Sequence, residues 1–265
     1  MSSYVDQNQL PLVSVLMTAY NREKFIAESI QSVLGSTFER FELIVVDDGS
    51  NDATVEIANR FAARDKRIKI YINESNLGDY PNRNKAASYA SGKYLKYLDS
   101  DDIMYPHCLQ VMVAAMEIFP EGGFGLSAIA DPDKPYPVCL DPHGIYKEHF
   151  RGYGHFNRSP GSAIFRRDIF EKENGFIPDR HIGDTEFFLR LGLKYSMVKF
   201  PADLYWSRIH TSSESFREIH SGYSKFRKKL IKNYLNSDLC PLNESEKKQI
   251  NDSFLKETLK RILRR

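Results

Sequence analysis

Residues 13–54, VSVLMTAYNREKFIAESIQSVLGSTFERFELIVVDDGSNDAT, decide the fold, because they have the pattern of a strand, a helix and a second strand. The apolar run Leu12–Met17 predicts the first strand, and residues 25–34 carry apolar side chains at helical spacing. Phe41–Val46 is apolar on both faces, which is typical of a strand buried in a parallel sheet. The order predicts a βαβ unit with a right-handed crossover.

The alternation of strands and helices continues to residue 98. Residues 55–62 and Arg83–Ala90 have helical spacing, and Arg67–Ile72 and Lys93–Leu98 predict two further strands. Four strands with three helices between them predict an α/β fold whose mostly parallel, Rossmann-like sheet is flanked by helices. In such a sheet a ligand binds in the crevice beyond the carboxyl ends of the strands.

The second half of the chain is less regular. Residues 108–119 predict one helix, Ser162–Phe170 a strand that runs into a helix, and Thr185–Leu193 a further helix. Residues 121–160 and 207–222 show little periodicity, and we expect the second of these stretches to be a loop.

Composition places the chain among soluble globular proteins. Of its 265 residues, 42% are hydrophobic and 27% are charged. The sequence contains no run of eighteen apolar residues, so it predicts no membrane span. The N-terminal residues lack the basic and apolar regions of a signal peptide, and the three cysteines are widely spaced without a CxxC pair. We therefore expect a cytoplasmic protein with reduced thiols and no nucleic-acid partner.

Polar clusters follow all four predicted N-terminal strands. They are TAYN at Thr18–Asn21, DDGS at Asp47–Ser50, NESNLG at Asn73–Gly78 and DSDD at Asp99–Asp102. Asp, Asn, Gly and Ser are also the ordinary residues of turns and helix N-caps, so each cluster alone has a structural interpretation. Because the carboxyl ends of parallel strands share one edge of the sheet, four clusters there together indicate a binding site.

Asp99 and Asp101 are singled out by their position after a buried strand and not by the Asp-x-Asp pattern itself. The pattern recurs at Asp131–Asp133, where a Pro-rich stretch without a preceding strand indicates an ordinary loop. A calcium loop of the EF-hand type is excluded, because Met104 and Gln110 stand where that loop needs Gly and Glu.

Two chemistries remain for these aspartates. A phosphatase of the haloacid-dehalogenase type would use the first Asp as nucleophile, but Ile103 replaces its Thr or Val and the motif follows the fourth strand. A cation that bridges a diphosphate, Mg²⁺ or Mn²⁺, would use carboxylates together with phosphate oxygens and water. The chain has neither GxGxxG after the first strand nor GxxxxGK[ST], so the cation would hold the phosphates, with Arg83 as a candidate phosphate or base contact.

Four ordered blocks of sequence resemble family 2 glycosyltransferases with the GT-A fold. The blocks are residues 13–54, NLGDYPNRNKAASYASGKYLKYLDSDD at 76–102, GSAIFRRDIFEKENGF at 161–176 and GDTEFFLRL at 183–191, and the resemblance extends to about His210. It implies an inverting, metal-dependent transfer of a sugar from a nucleotide sugar. We expect a UDP-sugar as donor and a hydroxyl of a glycan, lipid-linked or other acceptor, in the assembly of a bacterial-type surface polysaccharide or glycoconjugate.

Carried over to this sequence, the resemblance assigns residues to the nucleotide and to a divalent cation. The implied nucleotide contacts are Thr18, Ala19, Tyr20, Asn21, Asp48, Arg83, Asp99 and Ser100. The implied ligands of Mn²⁺ or Mg²⁺ are Asp99, Asp101 and His210, the last in a segment, WSRIH, that resembles the part closing over the diphosphate.

The resemblance also implies that Asp184 is the catalytic base. In the family the base is usually the Asp of a Glu-Asp pair, whereas Gly183 replaces the Glu here and Glu186 is the candidate substitute. An inverting attack needs a carboxylate within about 3 Å of the acceptor hydroxyl, on the face opposite the diphosphate and therefore apart from the metal-bound aspartates. The candidate acceptor or donor-sugar contacts are Asp102, Tyr153, His155, Ser162, Gly183, Glu186, Trp206 and Arg208.

The chain divides into three expected parts. Residues 1–105 form a nucleotide-sugar-binding half, residues 106–222 the acceptor-binding and catalytic half of the same domain, and residues 223–265 a basic amphipathic helical tail. Residues 225–265 carry twelve Lys and Arg against five Asp and Glu, so this tail is a candidate for peripheral contact with the inner face of the plasma membrane or for a homodimer. A non-catalytic nucleotide-sugar-binding module is a further alternative, because the altered Gly183-Asp184 pair is compatible with lost turnover.

Overall fold

The structure is a computed structural model that describes residues 10–128, 135–211 and 223–263, without the side chains of residues 153, 223–225 and 254–263. Its strands are β1 Val13–Ala19, β2 Phe41–Asp47, β3 Ile68–Ile72, β4 Tyr94–Tyr97, β5 Ile103–Met104, β6 Gly122–Ala128, β7 Val138–Leu140, β8 Ala163–Arg166, β9 Ser196–Pro201 and β10 Tyr205–Trp206. Its helices are α1 Ile26–Leu34, α2 Thr54–Ala62, α3 Asp79–Ser88, α4 Cys108–Ile118, α5 Pro142–Glu148, α6 Arg167–Lys172, α7 Gly183–Lys194, α8 Tyr223–Leu235 and α9 Glu244–Leu263. The second Asp-x-Asp pattern, at Asp131–Asp133, and residues 212–222 of the expected loop lie outside the described residues.

Eight of the described strands form one sheet in the order β3-β2-β1-β4-β8-β6-β9-β7. The first four run parallel to one another, β6 and β9 run in the same direction, and only β8 and β7 of this sheet are reversed. The predicted mostly parallel sheet is therefore confirmed. The carboxyl ends of β1, β2 and β4 lie side by side, and the polar clusters that follow them face one crevice.

Helices cover both faces of the sheet, because its central strands are buried on each side. Side chains of α1, α2 and α4 pack on one face, and side chains of α3, α5, α6, α7 and α8 pack on the other. Along β1, Leu16 points to the second face while Val15 and Met17 point to the first. This is the alternation that a strand between two helical layers requires.

Strand β6 shows why the second half was harder to predict. Its sequence, GGFGLSA, has few large apolar side chains, yet the whole strand is buried. A Cβ atom at Gly125 would lie 2.5 Å from Cε1 of Phe200, and one at Gly123 would lie 2.6 Å from Cβ of Tyr195. The glycines make room for aromatic side chains of neighbouring segments, and the apolar run that marks a buried strand is lost.

The start of α3 also differs from the prediction. The helix begins at Asp79, one turn before the expected Arg83. Its first turn contains Pro81, which is tolerated there because the missing N–H would have no partner within the helix. The earlier start places Asp79, Tyr80 and Arg83 together on the side of the crevice.

The helical extension predicted at the C-terminus is confirmed by α8 and α9. Leu235 is fully buried, and the Tyr234 hydroxyl donates a hydrogen bond of 2.8 Å to Glu186 of α7. The apolar side of α8 is thus packed against the domain. Of the helices that the structure describes, none combines the length and the apolar character needed to span a bilayer.

Candidate active site

A polar cleft of about 480 Å³ lies at the carboxyl ends of β1, β2 and β4. Eleven residues proposed from the sequence line it: Thr18, Ala19, Tyr20, Asn21, Asp48, Arg83, Asp99, Ser100, Asp101, Asp102 and Arg208. Five separate segments of the chain contribute them. The structure thus brings residues of the strand-end clusters together around one cleft, and their roles stay predictions.

The loops after β1 and β2 are tied to each other. The Asn21 N–H donates to Ser50 Oγ at 2.8 Å, and Asn21 Oδ1 accepts from the Asn51 N–H at 2.9 Å. Gly49 has φ of +79°, a conformation that favours glycine, and its N–H donates to Asp47 at 3.0 Å. These contacts fix one wall of the cleft.

Asp48 is almost fully buried and organises the loop that follows β3. Its carboxylate accepts hydrogen bonds from the side chain of Asn73 at 2.9 Å and from the N–H groups of Leu77 at 2.9 Å and Gly78 at 3.0 Å. Asp48 therefore shapes the cleft next to β2, and its expected contact with a nucleobase stays a prediction.

The Arg83 side chain extends from α3 to the loop Asp99–Asp102 after β4, called the acidic loop below. Its Nε donates to Asp79 at 2.8 Å, and its Nη2 lies 2.7 Å from Asp99 Oδ1. Burial alone would lower the pKa of Arg83, but the two carboxylates hold this pKa well above its usual value. The Nη1 atom is buried without a hydrogen-bond partner among the described residues, which makes it a donor for an anionic ligand of the cleft.

Three carboxylates crowd the acidic loop. Asp101 and Asp102 are buried, and the Asp102 N–H donates to the Asp99 carbonyl at 3.0 Å. Burial and the nearby charges of Asp99 and Asp101 raise the pKa of Asp102 to about 7, although the N–H of Arg208 opposes this shift. A cation bound here would relieve the repulsion.

A short ribbon attaches the WSRIH segment to the acidic loop. Strands β5 and β10 pair antiparallel, with Trp206 opposite Ile103. The Arg208 N–H donates to Asp102 at 2.9 Å, and its guanidinium Nε donates to the carbonyl of Asp101 at 2.9 Å. This guanidinium also lies over the Trp206 ring, 4.9 Å from its centroid.

The expected metal ligands are only partly assembled. His210 Nε2 lies 3.0 Å from Asp101 Oδ2, whereas Asp99 is engaged by Arg83. Across the described residues, no group of three or more His, Cys, Asp or Glu is placed to hold a metal ion. Two donors are still enough for Mg²⁺ or Mn²⁺, which bind a diphosphate with one or two protein ligands and water. Asp101 and His210 would supply a carboxylate and an imidazole donor to such an ion, at the carboxylate oxygen that Arg22 Nε now approaches to 3.0 Å.

Asp184 lies at the start of α7 and is not among the residues that line the cleft. The Thr185 N–H donates to its Oδ1 at 2.5 Å, and Gly183 packs directly on the Tyr80 ring. Burial raises the pKa of Asp184, while the positive charges of Arg227 on α8 and of Arg83 oppose the increase. A carboxylate with a raised pKa is suited to accept a proton.

Several predicted contacts lie elsewhere. His155 is buried with Nε2 3.0 Å from Glu148, the Ser162 hydroxyl donates to the Ser159 carbonyl at 2.7 Å, and Glu186 binds Arg190 and Tyr234. None of these three lines the cleft, and the role of Glu186 as a second acid stays a prediction. Trp206 is half exposed at the ribbon. The side chain of Tyr153 lies outside the described part of the structure.

Seven further residues that line the cleft had no individual role predicted from the sequence: Arg22, Asn76, Gly78, Asp79, Asn82, Arg180 and Ser207. Arg22 directly follows the TAYN cluster, and Asn76 and Gly78 belong to the NESNLG cluster, so their positions carried a signal. Arg180 and Arg227 carried none, because no motif distinguishes them from other surface arginines.

The cleft can bind an anion between Arg83 and a cation at the acidic loop, and the Asp184 carboxylate, which does not line the cleft, is carried by the separate helix α7. Arg83 and the acidic loop are next to each other in the cleft, and Asp184 is supplied by a different element. This division suits a displacement in which a charged group leaves on one face and a proton is removed on the other.

Known proteins of one family are similar to this chain. The model of the family described as "Glycosyl transferase family 2" matches residues 14–173. An uncharacterized glycosyltransferase of Haemophilus influenzae is 43% identical over 247 residues, 85% of this chain and 75% of that protein. The Escherichia coli UDP-Glc:alpha-D-GlcNAc-diphosphoundecaprenol beta-1,3-glucosyltransferase WfgD is 43% identical over 105 residues, 40% of this chain and 41% of that protein.

Solved structures share the fold. S. aureus TarS 1–349 in complex with UDP-GlcNAc superposes with a TM-score of 0.65 and 24% identity, over 92% of this chain and 71% of that chain. The mannosyltransferase PcManGT from Pyrobaculum calidifontis in complex with GDP-Man and Mn²⁺ superposes with a TM-score of 0.62 and 19% identity, over 85% of this chain and 63% of that chain. The expected GT-A fold is thereby confirmed.

Proposed function

Because the chain belongs to glycosyl transferase family 2, we propose that this glycosyltransferase moves a sugar from a UDP-sugar to a hydroxyl group of an acceptor, with inversion. The observation that carries the proposal is the cleft, in which Arg83 and the acidic loop lie together while Asp184 comes from α7. The printed name of the E. coli relative, which specifies UDP-Glc, supports a UDP-sugar.

Asp101 and His210 would hold a divalent cation, Mn²⁺ or Mg²⁺, together with the diphosphate. Such a cation supplies charge stabilisation for the departing diphosphate. The buried Nη1 group of Arg83 can donate to an anionic oxygen. The Arg208 N–H bonds to Asp102 and so attaches the segment containing His210 to the acidic loop. Mn²⁺ in the PcManGT complex supports the choice of metal.

Asp184 would remove the proton of the acceptor hydroxyl. Burial raises its pKa, so it is a stronger base than an exposed aspartate while Arg227 and Arg83 favour its ionised form. An inverting reaction requires the base on the face opposite the departing diphosphate, and Asp184 is carried by α7 and not by the acidic loop that would hold the cation.

The acceptor would be a glycan or lipid-linked hydroxyl, bound by residues 106–222, while residues 1–105 bind the nucleotide sugar. The name of the E. coli relative, which includes a diphosphoundecaprenol-linked sugar, supports a lipid-linked acceptor and a role in the cell envelope. Peripheral membrane contact through the basic tail and homodimerisation remain part of the proposal.

A donor assay tests the function. Wild-type protein is incubated with a panel of UDP-sugars, with and without Mn²⁺, and UDP release is measured alongside UDP binding by calorimetry. We expect metal-dependent UDP release that is lost in Asp184→Asn, which should still bind UDP. Equal rates in wild type and Asp184→Asn would remove Asp184 as base, and phosphate release from simple phosphomonoesters would support a phosphatase instead.

A further inference from the structure

Gly183 has no room for a side chain, and Tyr80 is the reason. A Cβ atom built at Gly183 would lie 2.5 Å from Cε2, 2.6 Å from Cδ2 and 2.9 Å from Cγ of the Tyr80 ring. Carbon atoms that are not bonded pack at about 3.5–4.0 Å, so even alanine would force one of the two elements to move. The absence of a side chain at position 183 is therefore coupled to the presence of an aromatic ring at position 80.

Tyr80 is held firmly in this position. It lies in the first turn of α3, is 5% exposed, and its ring packs against Phe176 with centroids 5.2 Å apart. The side chain therefore has little freedom to swing away from α7, and a packed aromatic ring of this kind is a stable platform for its hydroxyl group.

The Tyr80 hydroxyl also approaches the N-terminus of α7. The N-cap residue, Ile182, offers no side-chain hydrogen bond to the first turn, in which the N–H groups have no partner within the helix. Burial raises the pKa of Tyr80, whereas the backbone N–H of Asp184 lowers it, so this N–H is directed towards the Tyr80 hydroxyl. Tyr80 thus meets α7 at two successive residues, with its ring at Gly183 and its hydroxyl near Asp184.

The charges around Tyr80 keep its phenol protonated. Burial, followed by the negative charges of Asp184 and Asp79, raises the pKa of Tyr80 well above its usual value. The hydroxyl group can therefore accept from the Asp184 N–H and still carry a proton.

We propose that Tyr80 is a positioning residue for Asp184, and that Tyr80 and Gly183 form an interlocked pair in which the ring of one occupies the volume left by the other. The proposal rests on the proposed role of Asp184 as base. It accounts for the glycine that replaces the Glu of the usual Glu-Asp pair, because the phenol fills that space.

The hydroxyl group is tested by Tyr80→Phe, which retains the ring. We expect faster hydrogen exchange at the Asp184 amide, measured by NMR, and a kcat for donor turnover lowered roughly ten- to hundredfold with the donor KM unchanged. Tyr146→Phe is the matched control, because the buried Tyr146 hydroxyl donates to the Leu189 carbonyl of the same helix at 2.9 Å, away from Asp184. This control should leave both the Asp184 exchange rate and kcat unchanged.

The interlock is tested by Gly183→Ala in two backgrounds. In the wild type this substitution should lower the melting temperature. In the Tyr80→Ala variant it should change the melting temperature little, because the ring that would clash with the new Cβ atom is absent. An equal decrease in melting temperature in both backgrounds would overturn the interlock. Unchanged exchange and unchanged kcat in Tyr80→Phe would overturn the positioning role.

These results separate the two proposals. If Asp184→Asn keeps wild-type turnover, the proposed base is wrong, yet faster Asp184 exchange in Tyr80→Phe would still establish the contact to α7. If Asp184→Asn abolishes turnover while Tyr80→Phe changes neither readout, the proposed function stands and the role of Tyr80 is refuted.

Discussion

His210 Nε2 lies 3.0 Å from Asp101 Oδ2, although 109 residues separate the two in the chain. The ribbon of β5 and β10 brings them together. If both bind the cation, His210→Ala should weaken Mn²⁺ binding in the presence of UDP by about tenfold or more, because the ion loses one of two protein ligands. Calorimetric titration of Mn²⁺ measures the change.

His143→Ala is the control for this measurement, because His143 pairs with Glu246 of α9. It should bind Mn²⁺ as the wild type does. Unchanged binding in His210→Ala would exclude this histidine as a ligand and leave Asp101 as the only candidate of the pair.

Arg22 approaches the same carboxylate oxygen, with its Nε 3.0 Å from Asp101 Oδ2. A guanidinium in that position competes with a metal ion for the negative charge. We expect Arg22→Met to bind Mn²⁺ more tightly in the absence of nucleotide, by roughly fivefold, since one charge at about 4 Å in water is worth about 1 kcal/mol. Electron paramagnetic resonance of free Mn²⁺ gives the affinity, and weaker binding in the variant would show that Arg22 supports the site.

Arg227 of α8 places a positive charge near Asp184, whose pKa is raised by burial. A base acts when it is deprotonated, so activity falls as pH decreases through this pKa, starting from a higher pH than for an exposed aspartate. Arg227→Met removes a charge that lowers the pKa, and the acidic limb of kcat/KM should therefore move to higher pH. The exposed neighbour Lys228 provides the control, and an unmoved limb in Arg227→Met alone would contradict the coupling.

Lys199, fully buried in β9, is neutralised by Glu148 at 2.7 Å, and His155 Nε2 lies 3.0 Å from the same carboxylate oxygen. Glu148→Gln would leave Lys199 with an uncompensated buried charge. The free energy of unfolding should fall by about 3–5 kcal/mol, as for other broken buried pairs. Urea unfolding measures it, and Glu148→Gln combined with Lys199→Met should recover much of the loss.

The same group gives a pH dependence of stability. Burial alone would raise the pKa of Glu148, but the contacts with His155 and Lys199 lower it to about 2. Because the folded pKa lies below the unfolded value, the contribution is complete above about pH 4.5 and is lost as pH falls towards 2. Stability of Glu148→Gln should change less over this range, and parallel curves for the two proteins would refute the assignment.

The elements that could be predicted from sequence are those whose own residues carry the pattern. Strand β2 is mostly apolar and is buried along its whole length, and the acidic loop stands out because it follows the buried strand β4. Strand β6 was not predicted, because glycines stand where a buried strand usually has large apolar side chains. The space beside these glycines is filled by Phe200 and Tyr195, which are distant in the chain. The contacts of Arg22 with Asp101 and of Tyr80 with Gly183 likewise join distant segments, and no local periodicity records them.

The placement of β4 in the sheet has a consequence for the order in which the protein folds. On one side β4 pairs with β1, and on the other with β8, where Leu95 faces Phe165. The strand that carries the acidic loop is thus enclosed only when segments far apart in the chain have met. Contacts between such segments form slowly, because the chain loses the entropy of closing a long loop before the contacts can stabilise it. The cleft should be among the last parts of the molecule to form, so a stalled folding intermediate would contain helices and paired strands and yet be unable to bind nucleotide.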